Sequence, residues 1–141
     1  FISGTEFTVA IIGNKNPEVL PPVQIKIDGE IELKDKFYTF ARIQSTSLEY
    51  VCPARIPKEL SDKIKDYALK AYRSVECRDF GRVDFRVDEE GNPYVLEINP
   101  LPSLSTEDVF MIIAKYLGMT YEAMIGKILN SALERYGLNK S

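Results

Sequence analysis

Histidine is absent from this 141-residue chain, and cysteine occurs only twice. Without an imidazole the chain can build neither a His-based triad nor a Cys/His zinc site. Cys52 and Cys77 lack the further ligands that a metal centre requires, so both thiols read as small core residues. No uninterrupted apolar run approaches the roughly 18 residues of a membrane-spanning helix. No basic start followed by an apolar stretch marks a secretory signal, so the cytoplasm is the default location, with no membrane partner. An excess of positive charge is also lacking. The net charge of -3 speaks against nucleic acid as a partner. A Walker-type phosphate loop is missing, as are internal repeats, low-complexity tracts and linkers. There is no initiator methionine, and a chain that opens at Phe1 on a strand-like run reads as an excised piece of something longer.

What is present suits one packed core. Apolar side chains make up 45% of the residues, and the length falls in the range of a single domain, here residues 1–141. Residues 6–12 and 23–27 are β-rich, separated by the loop chemistry of Gly13-Asn14-Lys15-Asn16-Pro17. Asp28-Gly29 marks a tight reversal between residues 24–27 and 31–33. Residues 37–43 form a further extended, aromatic-rich run. Pro57 suits the first position of a helix, in which Leu60, Ile64, Tyr67, Ala68, Ala71, Tyr72 and Val75 recur at helical spacing. Lys63, Lys65, Asp66, Lys70 and Arg73 are its solvated face. Ser105, with Asp108 three residues on, can cap a helix that buries Val109, Ile112, Ile113, Tyr116 and Leu117 and ends at Gly118. Thr120 caps the last helix, whose apolar stripe runs from Met124 to Tyr136. The pattern predicts an α+β fold, an antiparallel sheet with helices packed on one face.

The chemistry concentrates in two consecutive strands. Along residues 81–87, Val83, Phe85 and Val87 point one way while Arg82, Asp84 and Arg86 point the other. After the Gly91-Asn92 turn, Tyr94, Leu96 and Ile98 take the apolar side, with Val95, Glu97 and Asn99 opposite. A hairpin closing about Glu90-Gly91 sets Asp84 against Glu97 and Arg82 against Asn99. Carboxylates facing each other at about 5 Å repel, so something positive belongs between them. A hard cation such as Mg²⁺ suits these oxygen ligands, leaving its other positions to water and phosphates. Alternatively, this is a solvated sheet face on which Arg82 and Arg86 neutralise Asp84 and Glu97.

The words Gly81-Arg82-Val83-Asp84-Phe85 and Tyr94-Val95-Leu96-Glu97-Ile98-Asn99-Pro100 resemble the C-terminal lobe of an ATP-grasp ligase, most closely the D-alanine:D-alanine ligase group. Gly4-Thr5-Glu6-Phe7-Thr8-Val9, Cys52-Pro53-Ala54 and Gly118-Met119-Thr120-Tyr121 extend the likeness along nearly the whole chain. The resemblance implies the second lobe of an ATP-grasp fold. It implies ATP with two Mg²⁺ ions, or Mn²⁺ in their place, and a cytoplasmic carboxylate–amine ligase of peptidoglycan biosynthesis that forms an amide through an acyl phosphate. By residue, it implies that Glu6 accepts from the ribose hydroxyls, that Phe1 and Ile2 lie beside the adenine, and that Arg42 contacts phosphate. Arg82 then steadies the transferred phosphoryl, Asp84 holds one ion, Glu97 bridges both and Asn99 binds the second. For Phe1, a frayed terminus is the alternative reading.

Two positions depart from the family. Ser103 stands where a glycine usually offers its N–H to the developing oxyanion. Asp108 replaces a serine that holds the carboxylate of the second D-alanine, and an aspartate carboxylate repels such a group; alternatively, Glu107 and Asp108 only decorate a helical first turn. The departures leave three readings: a D-alanine:D-alanine ligase relative with an altered amine substrate, a ligase joining another amino-acid or peptide pair, or a nucleotide-binding domain without turnover. The family's phosphate loop and first-lobe lysine have no counterpart, so the missing N-terminal lobes are implied partners and the isolated chain is expected to be inactive. Apolar surface left bare by their absence makes a homodimer an expectation too.

Overall fold

Six strands and three helices are formed by the residues that the computed structural model describes, 2–27, 29–31 and 48–138. Phe1, Arg42, the run 37–43 and the arm of the reversal beyond residue 31 lie outside the described residues. The strands β1 (Thr5–Ile12), β3 (Val23–Ile27), β4 (Leu48–Val51), β5 (Phe80–Val87) and β6 (Pro93–Asn99) form an antiparallel sheet in the order β4-β3-β1-β5-β6, and the short β2 (Glu18–Val19) pairs with the end of β1. The expected reversal after β3 is made, for Ile27 and Glu30 exchange both backbone hydrogen bonds at 3.0 Å. Three helices, α1 (Lys58–Ser74), α2 (Val109–Tyr116) and α3 (Tyr121–Arg135), complete the α+β fold that the sequence predicts.

The central strand explains the layering. On one side of β1, Phe7, Val9 and Ile11 join Val83, Phe85 and Val87 of β5 beneath Ile64, Ala68 and Tyr72 of α1. On the other side, Ala10 and Ile12 pack with Leu20 and Val23 beneath Phe110, Ile113, Met124 and Ile128 of α2 and α3. The helices are therefore divided between the two faces instead of sharing one. The cause is local: the second half of β1 is apolar at every position, so both of its faces need a cover. Glu6 and Thr8 lie on the α2–α3 side but nearer the start of the strand, beyond the two helices, and this is where a cleft opens.

Close packing fixes the sheet against α1. The Tyr72 ring is buried over Gly81, where an added Cβ would lie 3.0 Å from Cε2, and its hydroxyl donates to the Gly13 carbonyl at 2.9 Å. Burial of one such large side chain contributes about 1.5–3 kcal/mol. At the start of β1 the chain passes so near β5 that a Cβ on Gly4 would sit 1.9 Å from the Val87 carbonyl oxygen, at a φ of 148°. Only glycine meets both conditions.

Helix ends differ from the sequence reading in one respect that matters. Pro57 is the N-cap of α1, so the helix begins at Lys58, one position after the predicted start. The N-cap of α2 is Asp108 and not Ser105. Asp108 Oδ1 accepts the Val109 N–H at 2.9 Å, and residues 105–108 form a turn closed by the Asp108 N–H and the Ser105 carbonyl. With four Ser, Thr or acidic residues in succession, the cap falls to the one adjacent to the apolar run. Helix α2 buries Val109, Phe110, Met111, Ile113 and Ala114, whereas Tyr116 and Leu117 are exposed. Thr120 caps α3 as predicted, its Oγ1 accepting the Ala123 N–H at 3.2 Å.

A polar knot ties α3 to the sheet. Arg135 donates to both oxygens of Asp79, at 2.9 Å through Nε and 2.6 Å through Nη2, while Asn14 Nδ2 reaches Asp79 Oδ1 at 2.9 Å and the Ser131 carbonyl at 2.9 Å. The hydrogen bonds from Arg135, then that from Asn14, hold the Asp79 carboxyl below its ordinary value despite partial burial. Among the described residues no single helix is long and apolar enough to cross a membrane.

Candidate functional site

Strand alternation and a tight turn place the acidic pair as predicted. Gly91, at a φ of 79°, donates to the Asp88 carbonyl, and the strands that leave this turn set Asp84 opposite Glu97 and Arg82 opposite Asn99. Beyond Asp84 the ladder changes register, so that Phe85 faces Val95 and Arg86 faces Tyr94. Val95 and Tyr94 thus exchange the sides that simple alternation assigns them. Leu96 is the extra residue, and it lines the cleft beside Glu97, as a bulge re-aims neighbouring side chains.

The cleft has a volume of about 180 Å³. Glu6 and Thr8 of β1, Ile25 of β3 and Tyr50 of β4 line it together with Arg82, Asp84, Leu96 and Glu97. Thr8 was legible as the next residue on the Glu6 side of β1. Ile25 and Tyr50 carry no local signal, because only the pairing of β3 and β4 onto β1 brings them here.

The positive charge between the carboxylates is Arg82. Its Nε donates to Asp84 Oδ1 at 3.0 Å and its Nη2 to Oδ2 at 2.8 Å, and the same Nη2 lies 3.9 Å from Glu97 Oε1. The Thr8 hydroxyl adds a bond to Asp84 Oδ1 at 2.6 Å. Burial works against the charge on Arg82, but the hydrogen bonds and charge of Asp84, helped by Asp108, hold the guanidinium above its ordinary value. Asp84 is thus neutralised by Arg82, as one sequence reading has it. Arg86 goes elsewhere. Its Nη1 donates to Glu6 Oε1 at 3.0 Å in a pair that is almost wholly buried. Burial pushes the Glu6 carboxyl above its ordinary value more strongly than Arg86 pulls it down, and Asp84 adds to the push.

The donor set fits a hard cation that brings ligands of its own. Among the described residues no group of three or more His, Cys, Asp or Glu could hold an ion. Asp84, Glu97 and the amide oxygen of Asn99 could supply only part of a coordination shell, the usual provision for Mg²⁺ shared with phosphates. Glu97 is 63% exposed and reaches outward, while Asn99 Oδ1 accepts the Leu101 N–H at 3.1 Å.

The remaining sequence candidates scatter. Ile2 is half-buried and does not line the cleft. Ser103 is exposed, and its Oγ accepts the Ser105 N–H at 3.3 Å. Asp108 caps α2, and its charge reaches Arg82.

Residues 1–130 match the family model described as D-ala D-ala ligase C-terminus. The chain is 40% identical over 136 residues to the D-alanine--D-alanine ligase of Carboxydothermus hydrogenoformans, a match that covers 95% of this chain and 42% of that protein. It is 37% identical to the uncharacterized protein y4sG of Sinorhizobium fredii, covering 96% and 40%. The chain thus spans about two fifths of the length of these curated relatives. Its fold is similar to part of the D-alanine--D-alanine ligase from Bacillus anthracis solved as a complex with ATP, with a TM-score of 0.73, 23% identity and coverage of 100% of this chain and 41% of the other.

Proposed function

The chain belongs to the D-ala D-ala ligase C-terminus family, and on that premise we propose that it supplies the ATP- and metal-binding lobe of a ligase that joins a carboxylate to an amine. The observation that carries the proposal is the register of β5 on β6, which gathers Asp84, Glu97, Arg82 and Asn99 at the rim of a cleft walled by Glu6. In this reading Glu6 keeps Arg86 on Oε1 and offers Oε2 to the ribose hydroxyls. Ile2, with Phe1, borders the adenine, and Arg42 meets phosphate. Asp84, Glu97 and Asn99 hold Mg²⁺, two ions or Mn²⁺ in their place, which when bound neutralise the β- and γ-phosphates. Arg82 steadies the γ-phosphoryl group as a substrate carboxylate oxygen attacks its phosphorus and ADP departs. The amine then attacks the resulting acyl carbon, the C–O bond to phosphate breaks, the nitrogen gives up a proton that leaves with the phosphate, and an amide remains. The Ser103 N–H faces the oxyanion of that second step.

A second reading concerns the amine, and Asp108 favours it. One carboxylate oxygen is taken by the helix cap, and its negative charge lies within electrostatic reach of Arg82. A free amino-acid carboxylate would meet repulsion there, so the amine substrate is not free D-alanine but one that presents no carboxylate to Asp108. The exposed Leu101, Leu129, Tyr136 and Leu138 make contact with further lobes, or with a second copy, part of the same proposal.

Saturation-transfer NMR with β,γ-imido-ATP tests the lobe assignment, since it detects the weak binding expected of half a nucleotide clamp. Mg²⁺-dependent transfer to the adenine and ribose protons is expected, and its loss in Glu97→Gln. No Mg²⁺-dependent transfer would refute the assignment. In a protein that joins this lobe to the segments its relatives carry beside it, ADP release across a panel of amino acids identifies the amine. Strong release with D-alanine alone removes the second reading.

A further inference from the structure

Asp84 has little left to give a metal ion. Both of its oxygens are held by the fork of Arg82, at 3.0 and 2.8 Å, and Oδ1 also takes the Thr8 hydroxyl at 2.6 Å. The two charged side chains are only 18–19% exposed, so water screens the pair poorly. A divalent cation on either oxygen would stand within about 5 Å of the guanidinium, where like charges repel strongly in a part-buried setting. Arg82 and the ion are therefore rivals for Asp84. Arg82 also has somewhere to go. It lies two residues before Asp84 on the same side of β5, it approaches Glu97 at 3.9 Å, and Asp108 lies within electrostatic reach.

We propose that Arg82 is a resident counter-ion that guards Asp84, and that the metal enters only when an incoming anion draws the guanidinium off the carboxylate. This rests on the reading of Asp84 and Glu97 as metal ligands and adds an order to it: metal loading and the arming of Arg82 toward phosphate are one event. Arg82 is then a positioning residue for the metal as well as a contact for the nucleotide. Metal and triphosphate bind cooperatively, because each removes an obstacle to the other.

The test is Mn²⁺ alone, titrated without nucleotide into the wild-type chain, Arg82→Gln and Arg82→Lys, with free Mn²⁺ read by electron paramagnetic resonance. Arg82→Gln should bind Mn²⁺ roughly fivefold or more tightly than wild type, the lower end of ordinary coupling between two ligands of one group. Arg82→Lys, which keeps the charge, should stay nearer wild type. A residue that merely supported the fold or contacted phosphate would leave nucleotide-free affinity unchanged or weaker in Arg82→Gln, and that result overturns the proposal. A second measurement needs no variant: in the wild-type chain, the Arg82 Nε–H resonance should move when Mg²⁺ and β,γ-imido-ATP are added together, and its immobility also overturns the proposal. If Mn²⁺ binds neither wild type nor Arg82→Gln, with or without the analogue, the metal reading falls with it. If wild type binds Mn²⁺ with the analogue but Arg82→Gln gains nothing without it, only the guarding role falls.

Discussion

Asp108 carries two effects that substitution can separate, the cap of α2 and a negative charge near the cleft. The cap is the hydrogen bond from the Val109 N–H to Oδ1 at 2.9 Å. Removing such a cap with alanine costs about 1 kcal/mol. The charge at a helix N-terminus contributes about a further 0.3–1 kcal/mol at low ionic strength, and the half-buried position of Asp108 keeps part of that at moderate salt. Asp108→Ala should therefore lower stability by about 1.5 kcal/mol. Asp108→Ser, which caps equally well but is neutral, should lose about 0.5 kcal/mol. Helix α2 itself survives both changes, since Val109, Phe110 and Ile113 are fully packed beneath it. Urea unfolding at neutral pH measures all three proteins on one scale, with unchanged m-values as the check on the unfolding model. If Asp108→Ser is as unstable as Asp108→Ala, the cap contributes nothing and the charge is the whole effect. If neither differs from wild type, the assignment of Asp108 as the cap that starts α2 is refuted. Because Asp108→Ser is nearly isostable, any change in amine preference that it brings to an assembled ligase reports the charge and not unfolding.

Two more outcomes follow from the packing. Gly81→Ala places a methyl 3.0 Å from a ring pinned by its own hydroxyl, and should cost about 1–3 kcal/mol in urea unfolding; the cost should shrink in a Tyr72→Leu background, and strict additivity would show that the ring is not the obstacle. Asp79 has a lowered pKa, so its contribution to stability is complete above the ordinary value of 3.8 and is lost as pH falls through the lower folded value. Asp79→Asn, which tolerates the left-handed φ of 64°, should thus be least stable relative to wild type near neutrality and converge on it in acid, and a pH-independent gap would contradict the Arg135 tie.

The acidic pair was legible because a period of two and one glycine turn are enough to set Asp84 against Glu97. What lay beyond the bulge was not. An extra residue in a ladder reverses every later side chain, and nothing in Tyr94-Val95-Leu96 announces it. In this structure the positive charge expected between the carboxylates is supplied by Arg82, one of the two arginines of the alternative reading, and the sequence cannot say that Arg82 lies down along its own strand while Arg86 is claimed by Glu6, 80 residues earlier. The cap of α2 was misplaced by three residues, since Ser105, Thr106, Glu107 and Asp108 can all begin a helix and tertiary packing of Val109 decides among them. The division of the helices between two faces was readable in principle from the unbroken apolar run Val9-Ala10-Ile11-Ile12, which no strand with one wet side would need.

Strand β5 is laced to β1 along eight residue pairs and to β6 on its other flank, whereas β6 is the last strand of the described sheet and carries the irregular step beside Glu97. Asp84 is accordingly the anvil of this grip and Glu97 its hammer: one acid cannot yield without shearing the middle of the molecule, while the other rides a free margin. Adjustment to cargo of different size should then be borne almost entirely by the outer jaw.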